Sequence, residues 1–69
     1  MSIHETAKIH SSAIINSGAV VGPNCDIGPF SVIGNEVVLK NNVIIKSHVV
    51  ISGMTTIDEE TSIFPFASI

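Results

Sequence analysis

The sequence predicts an all-β fold: a parallel β-helix shaped as a triangular prism, about four coils high. Three observations predict it. Aliphatic residues return at every sixth position from Ile3 to Ile69 without a miss. All twenty-one Ile, Val and Leu residues fall in three adjacent columns of that hexad. The other three columns hold turn formers such as Gly22-Pro23-Asn24, Gly28-Pro29-Phe30 and Gly34-Asn35-Glu36. Were aliphatics scattered at random, confinement to one named half of the hexad would be roughly a one-in-two-million event.

A period of six excludes the other regular folds. An α-helix repeats every ~3.6 residues and disfavours β-branched side chains. Hairpin sheets need strands of about four to eight residues with turns every ~8–12. Each hexad here reads as a three-residue strand followed by a three-residue polar turn, and three hexads close one triangular coil of eighteen residues. Coils stack at about 4.7–4.9 Å, the spacing of hydrogen-bonded strands, so the chain builds a prism ~18 Å tall.

Folding the chain on eighteen residues sorts the large aliphatics into three inward ladders. The first is Ile3, Val21, Leu39 and Ile57; the second is Ile9, Ile27, Ile45 and Ile63; the third is Ile15, Ile33, Ile51 and Ile69. Strand side chains alternate between faces, so the residue two places earlier also points inward. That column runs Met1, Ala7, Ala13, Ala19, Cys25, Ser31, Val37, Val43, Val49, Thr55, Thr61 and Ala67, small or β-branched after the first residue. Small residues there leave room for the large ones. A core so built needs no aromatic ring, in keeping with three Phe and no Trp or Tyr.

The corners account for the remaining columns. Gly18, Gly22, Gly28, Gly34 and Gly53, with Asn16, Asn24, Asn35, Asn41, Asn42 and Asp58, supply residues that tolerate unusual turn conformations. Pro23, Pro29 and Pro65 share one turn column, where no ladder hydrogen bond is lost. The outward column differs from face to face. Lys8, Asp26, Ile44 and Ser62 give a mostly polar face, whereas Ile14, Val32, Val50 and Ser68 give an apolar one. Its neighbour carries Ser2, Val20, Val38 and Thr56. An apolar wedge along one edge of a prism implies a partner. The expectation is a homotrimer through Ile14, Val32, Val50, Val20 and Val38, closed about an axis parallel to the prism.

Composition narrows the function classes. The chain is 45% hydrophobic and 13% charged, which excludes a disordered tail. A net charge of −3 offers no basic footprint for nucleic acid. Lys40, Asn41, Asn42, Lys46, Ser47 and His48 interrupt the longest aliphatic stretch, so no membrane insertion is expected, and the location expected is the cytoplasm. A single Cys, Cys25, excludes an internal disulfide, and its inward small-column position reads as a buried apolar residue rather than a nucleophile. His4 and His10 occupy the same turn column of successive hexads and hence different corners. With His48 they read as solvated corner residues, not as converging metal ligands. Lys40, Lys46, Asp58, Glu59 and Glu60 read the same way. Phe30, Phe64 and Phe66 lie in turn columns, outside the prism, where they can meet neighbouring chains.

The hexad pattern resembles that of the hexapeptide-repeat transferases, and left-handed coiling follows from that resemblance alone. Ile9-His10-Ser11-Ser12-Ala13-Ile14-Ile15 resembles the opening of many such enzymes, and Asp26-Ile27-Gly28-Pro29-Phe30-Ser31-Val32-Ile33-Gly34 resembles their usual coil. Lys46-Ser47-His48-Val49-Val50-Ile51-Ser52-Gly53 and Pro65-Phe66-Ala67-Ser68-Ile69 are similar to the UDP-N-acetylglucosamine O-acyltransferases of lipid A synthesis. That family implies a cytoplasmic homotrimer moving a 3-hydroxyacyl chain from acyl carrier protein to UDP-N-acetylglucosamine, with a histidine as general base. The family's catalytic residues lie beyond the point that matches Ile69, so none maps onto this chain. The expectation is a single partial β-helix domain over residues 1–69, truncated relative to the family, inactive alone, and with no catalytic, cofactor or metal residues. Two alternatives stand beside it: a fragment of another hexapeptide-repeat acyl- or acetyltransferase, and a non-catalytic solenoid that acts in assembly. An uncovered last coil also implies a marginal fold or a stacked oligomer.

Overall fold

In the computed structural model, which describes residues 2–69, each hexad forms one short strand and one corner. Met1, the first member of the small column, lies outside the described residues. Eleven strands follow in order: β1 (Ser2–Ile3), β2 (Lys8–Ile9), β3 (Ile14–Ile15), β4 (Val20–Val21), β5 (Asp26–Ile27), β6 (Val32–Ile33), β7 (Val37–Leu39), β8 (Ile44–Ile45), β9 (Val50–Ile51), β10 (Thr55–Ile57) and β11 (Ser62–Ile63). Every third strand joins one sheet, giving the orders β1-β4-β7-β10, β2-β5-β8-β11 and β3-β6-β9. The result is a β-solenoid of three complete coils and part of a fourth, whose third side is marked by a bridge from Ser68 to Val50.

All strand pairs are parallel, and every register is eighteen residues. Val21 pairs with Leu39, Ile27 with Ile45 and Ile33 with Ile51, as the inward ladders require. Backbone bonds tie rung to rung on the second sheet: Lys8 N–H to the Cys25 carbonyl (2.8 Å), Asp26 to Val43 (2.9 Å) and Ile44 to Thr61 (2.8 Å). The core is the inside of this stack. Ile27, Ile33, Leu39, Ile45 and Ile51 fill its centre, with Ala19, Val37, Val43 and Val49 between them, all almost wholly buried. Ile57 and Ile63 close it above, and Ala7, Ile9, Ala13 and Ile15 pack on it below. Of the twelve ladder residues, only the first and last, Ile3 and Ile69, are exposed. Among the described residues no helix is long and apolar enough to cross a membrane.

Polar atoms inside the stack are satisfied. The Ser31 hydroxyl, fully buried, donates to the Lys46 carbonyl (3.1 Å) and accepts from the Val49 N–H (3.2 Å). Cys25 is a buried free thiol whose Sγ donates to the Lys40 carbonyl (2.9 Å), in keeping with the small inward position. The two residues do the same job one hexad apart, each stitching its coil to the corner above.

Three details correct the sequence reading. Most strands are two residues long, not three; only β7 and β10 reach three. Ala7, Ala13 and Ala19 point inward but give their N–H to the turn, bonding the carbonyls of His4, His10 and Asn16 at 3.0–3.2 Å. Second, left-handed backbone is not concentrated in glycine. Asn24, Phe30, Asn42, His48, Glu60 and Phe66 adopt φ between 55° and 65°, whereas Gly22, Gly28 and Gly34 do not have positive φ. Gly28 serves close approach instead: a Cβ there would lie 2.8 Å from the Lys46 carbonyl carbon in the coil above. Third, Lys40 and Asp58 are not independent corners; they form an exposed ion pair at 3.4 Å.

Candidate functional site

The outward residues expected to meet a partner lie on two adjacent sheets. On β3-β6-β9, Ile14, Val32 and Val50 stand on successive rungs, Ile14 55% and Val50 42% exposed and Val32 half-buried. On β1-β4-β7-β10, Val20 pairs with Val38, the first exposed and the second half-buried. Branched aliphatics occupy these outward positions because extended backbone accepts them on either face. The core does not need them, since the inner column already fills the prism. Their exposure therefore leaves an apolar strip in water.

One corner extends that strip. Between the second and third sheets, Phe30, His48 and Phe66 sit eighteen residues apart, one above another. The His48 ring lies 5.2 Å from Phe30 and 5.1 Å from Phe66, centroid to centroid, with interplanar angles of 31° and 24°. Such spacing gives offset stacking of flat side chains. Each of the three holds left-handed backbone, and the rung bonds explain how: His48 N–H meets the Pro29 carbonyl at 3.0 Å and Phe66 N–H the Ser47 carbonyl at 3.4 Å. Phe64 adds a further exposed ring at the same corner, and Met54 an exposed side chain at the next. The stack was legible as a spacing, because residues 30, 48 and 66 share one turn column of the eighteen-residue coil; the separate reading of each residue passed over it.

The polar face carries a shallow groove of about 250 Å³, lined by Thr6, Lys8, Asn24, Cys25, Asp26 and Ile44. Lys8 and Asp26 oppose each other across β2 and β5 as outward neighbours. His4 and His10 are exposed at separate corners, as expected from their column, yet neither is simply solvated. His4 Nδ1 lies 2.8 Å from Thr6 Oγ1 and 3.1 Å from the Thr6 N–H; His10 Nδ1 stands in the same relation to Ser12 at 2.8 and 3.1 Å. Among the described residues no group of three His, Cys, Asp or Glu side chains converges on a point where a metal ion could be held. Cys25, the one thiol, is buried with its Sγ committed to a carbonyl. What the arrangement offers chemically is a surface for apolar contact, stiffened by hydrogen-bonded rungs.

Comparison with known proteins follows the same lines. Residues 1–35 match the sequence pattern of a family described as bacterial transferase hexapeptide (six repeats). No curated protein matches the chain significantly. Parallel sheets without a helix among the described residues are consistent with the left-handed β-helix that hexapeptide repeats build.

Proposed function

The chain belongs to the bacterial transferase hexapeptide family, and from that membership we propose that it is the N-terminal scaffold portion of an O-acyltransferase. The reaction in this reading moves a 3-hydroxyacyl chain from acyl carrier protein to UDP-N-acetylglucosamine in the cytoplasm, within lipid A synthesis. The coils of residues 1–69 supply rigidity and an assembly face; the general base and the carrier-protein contacts belong to later coils and a helical domain. The motifs at residues 46–53 and 65–69 support the choice of acyl acceptor.

The observation that carries the proposal is the outward ladder Ile14, Val32, Val50. Three rungs of branched aliphatics on the outside of a prism gain about 25 cal/mol for each Å² of apolar surface that a partner covers. Closure about an axis parallel to the prism brings the same face of three copies together, with Val20 and Val38 at its margin. Ultracentrifugation tests the assembly: we expect a mass of three chains for the protein and a lower mass for Val50→Glu with an unchanged circular-dichroism spectrum. A mass of one chain at micromolar concentration overturns the assembly.

A chimera tests the reaction. The chain replaces the opening coils of an enzyme that performs this transfer, and hydroxyacyl transfer to UDP-N-acetylglucosamine is measured. We expect turnover within about tenfold of the parent, a barrier change of no more than ~1.4 kcal/mol. A trimeric, folded chimera without turnover contradicts the scaffold reading.

A further inference from the structure

We propose that the aromatic corner is the other half of the assembly interface: Phe30 and Phe66 of one copy pack on the Ile14, Val32 and Val50 ladder of the next. The inference rests on the three-fold assembly proposed above and names the surface that the ladder meets. Its premise is the shape of the molecule. Each side of a coil is one hexad, so the prism is equilateral in section. A three-fold rotation about a parallel axis returns such a prism's faces to the same three directions, so no face of one copy lies flat on a face of another. Each contact instead sets a corner of one copy on a face of the next. The corner that reaches a given face is one of the two that border that sheet.

Two corners border β3-β6-β9. The one between the third sheet and the first carries Asn16, Asn35 and Glu36, all exposed, and its one apolar side chain is Met54. The other carries Phe30 and Phe66, 61% and 78% exposed, with His48 stacked between them. None of the chain's six acids lies on it. Glu5, Asp58, Glu59 and Glu60 belong to the corner between the first and second sheets, Asp26 to β5 and Glu36 to the rival corner. Its one lysine, Lys46, is exposed and has a stem long enough to keep its ammonium in water. Closing this corner on the aliphatic ladder covers apolar surface and desolvates no carboxylate, whereas the rival corner would press Glu36 on aliphatic side chains.

Height and area agree with this pairing. A rotation about a parallel axis leaves all copies level. Phe30 and Val32 share a coil, as do His48 and Val50, so corner and ladder meet rung for rung. The smallest stable contacts cover about 1,200 Å² over both partners, a little over half of it apolar. Ile14, Val32 and Val50 offer roughly 200 Å² of exposed apolar surface. Phe30 and Phe66, with Phe64 beside them, add about 400 Å². Together the two patches reach the required scale, and neither reaches it alone. The rings are already stacked on the free prism, so ordering them on contact costs little.

Isotope-filtered NMR on a mixture of labelled and unlabelled whole chains tests the contact, because it reports only protons of different copies. The Val32 and Val50 methyls should show contacts to the Phe30 and Phe66 rings of the partner copy. Sedimentation equilibrium supplies the second measurement. Phe30→Asn and Phe66→Asn remove the rings but keep the corner, since Asn24 and Asn42 hold the same left-handed backbone. Each should raise the dissociation constant at least about tenfold, the scale of a truncated aromatic anchor, with an unchanged circular-dichroism spectrum. Met54→Ser, at the rival corner, should change it by less than about twofold. A mass of one chain for the native protein overturns the assembly and this contact with it. A mass of three chains without ring–methyl contacts between copies overturns the contact alone, as does weakening by Met54→Ser but not by the Asn variants.

Discussion

Replacing Gly28 by Ala probes how closely the coils approach at a corner. Gly28 N–H donates to the Ile45 carbonyl at 2.8 Å, which draws the second coil against the third. An added Cβ would meet the Lys46 carbonyl carbon at 2.8 Å and the Ile45 oxygen at 3.2 Å, both backbone atoms with no side-chain freedom to yield. Lys46 is itself held from above through its N–H on the Ile63 carbonyl at 2.9 Å. Relief requires moving a rung, an overpacking cost of about 1–3 kcal/mol. Against it stands the stiffer unfolded chain, worth ~0.4–1 kcal/mol. The net expectation is a loss of about 1–2 kcal/mol, which lowers Tm by roughly 4–16 °C in a domain this small. Gly53→Ala is the control: its Cβ meets nothing within 4 Å, and only its φ of +79° resists the change. Urea and thermal unfolding followed by circular dichroism measure both. If Gly28→Ala matches or exceeds the native protein in stability, the coils do not touch where the account requires.

Ile33→Ala should cost about 2–5 kcal/mol, because Ile33 is wholly buried in mid-stack and the hole left behind cannot collapse between fixed rungs. Measured by urea unfolding, that loss is a large part of the few kcal/mol a chain of this size possesses. Glu60→Asn should raise stability by about 0.5–1 kcal/mol, since Glu60 holds φ 62° at a corner where Asn24 and Asn42 hold the same conformation; thermal unfolding reads the gain. Lys40→Ala should change stability by less than about 0.5 kcal/mol, because its pair with Asp58 is exposed, and added salt should shrink even that difference.

Much of the fold was legible because burial in a β-solenoid follows a strict column. Ile27, Ile45 and Ile63 needed only their spacing to be placed inside, and the structure buries all three. The small column was equally plain, down to Cys25 and Ser31. Corner conformation was not. Phe30 and Phe66 lack any intrinsic preference for left-handed backbone, and they hold it where their N–H groups bond the preceding coil, at the Ser12 hydroxyl and the Ser47 carbonyl. Local propensity is silent about partners that distant. Gly22 and Gly28 read as flexible turn residues, whereas what demands glycine there is the backbone of the next coil. The outward strip was visible in Ile14, Val32 and Val50, but its aromatic border appears only when residues eighteen apart are compared across the turn column. The imidazole–hydroxyl contacts at His4 and His10 depend on side-chain rotamers and left no mark in the periodicity.

Nuclear Overhauser contacts between backbone protons test the central claim most directly. The account predicts a single family of interstrand contacts separated by eighteen residues, parallel in sense: Asp26 with Ile44, Val20 with Val38, Val32 with Val50. Contacts three and four residues apart that run unbroken through the strand positions, or an antiparallel pattern between neighbouring hexads, would contradict it.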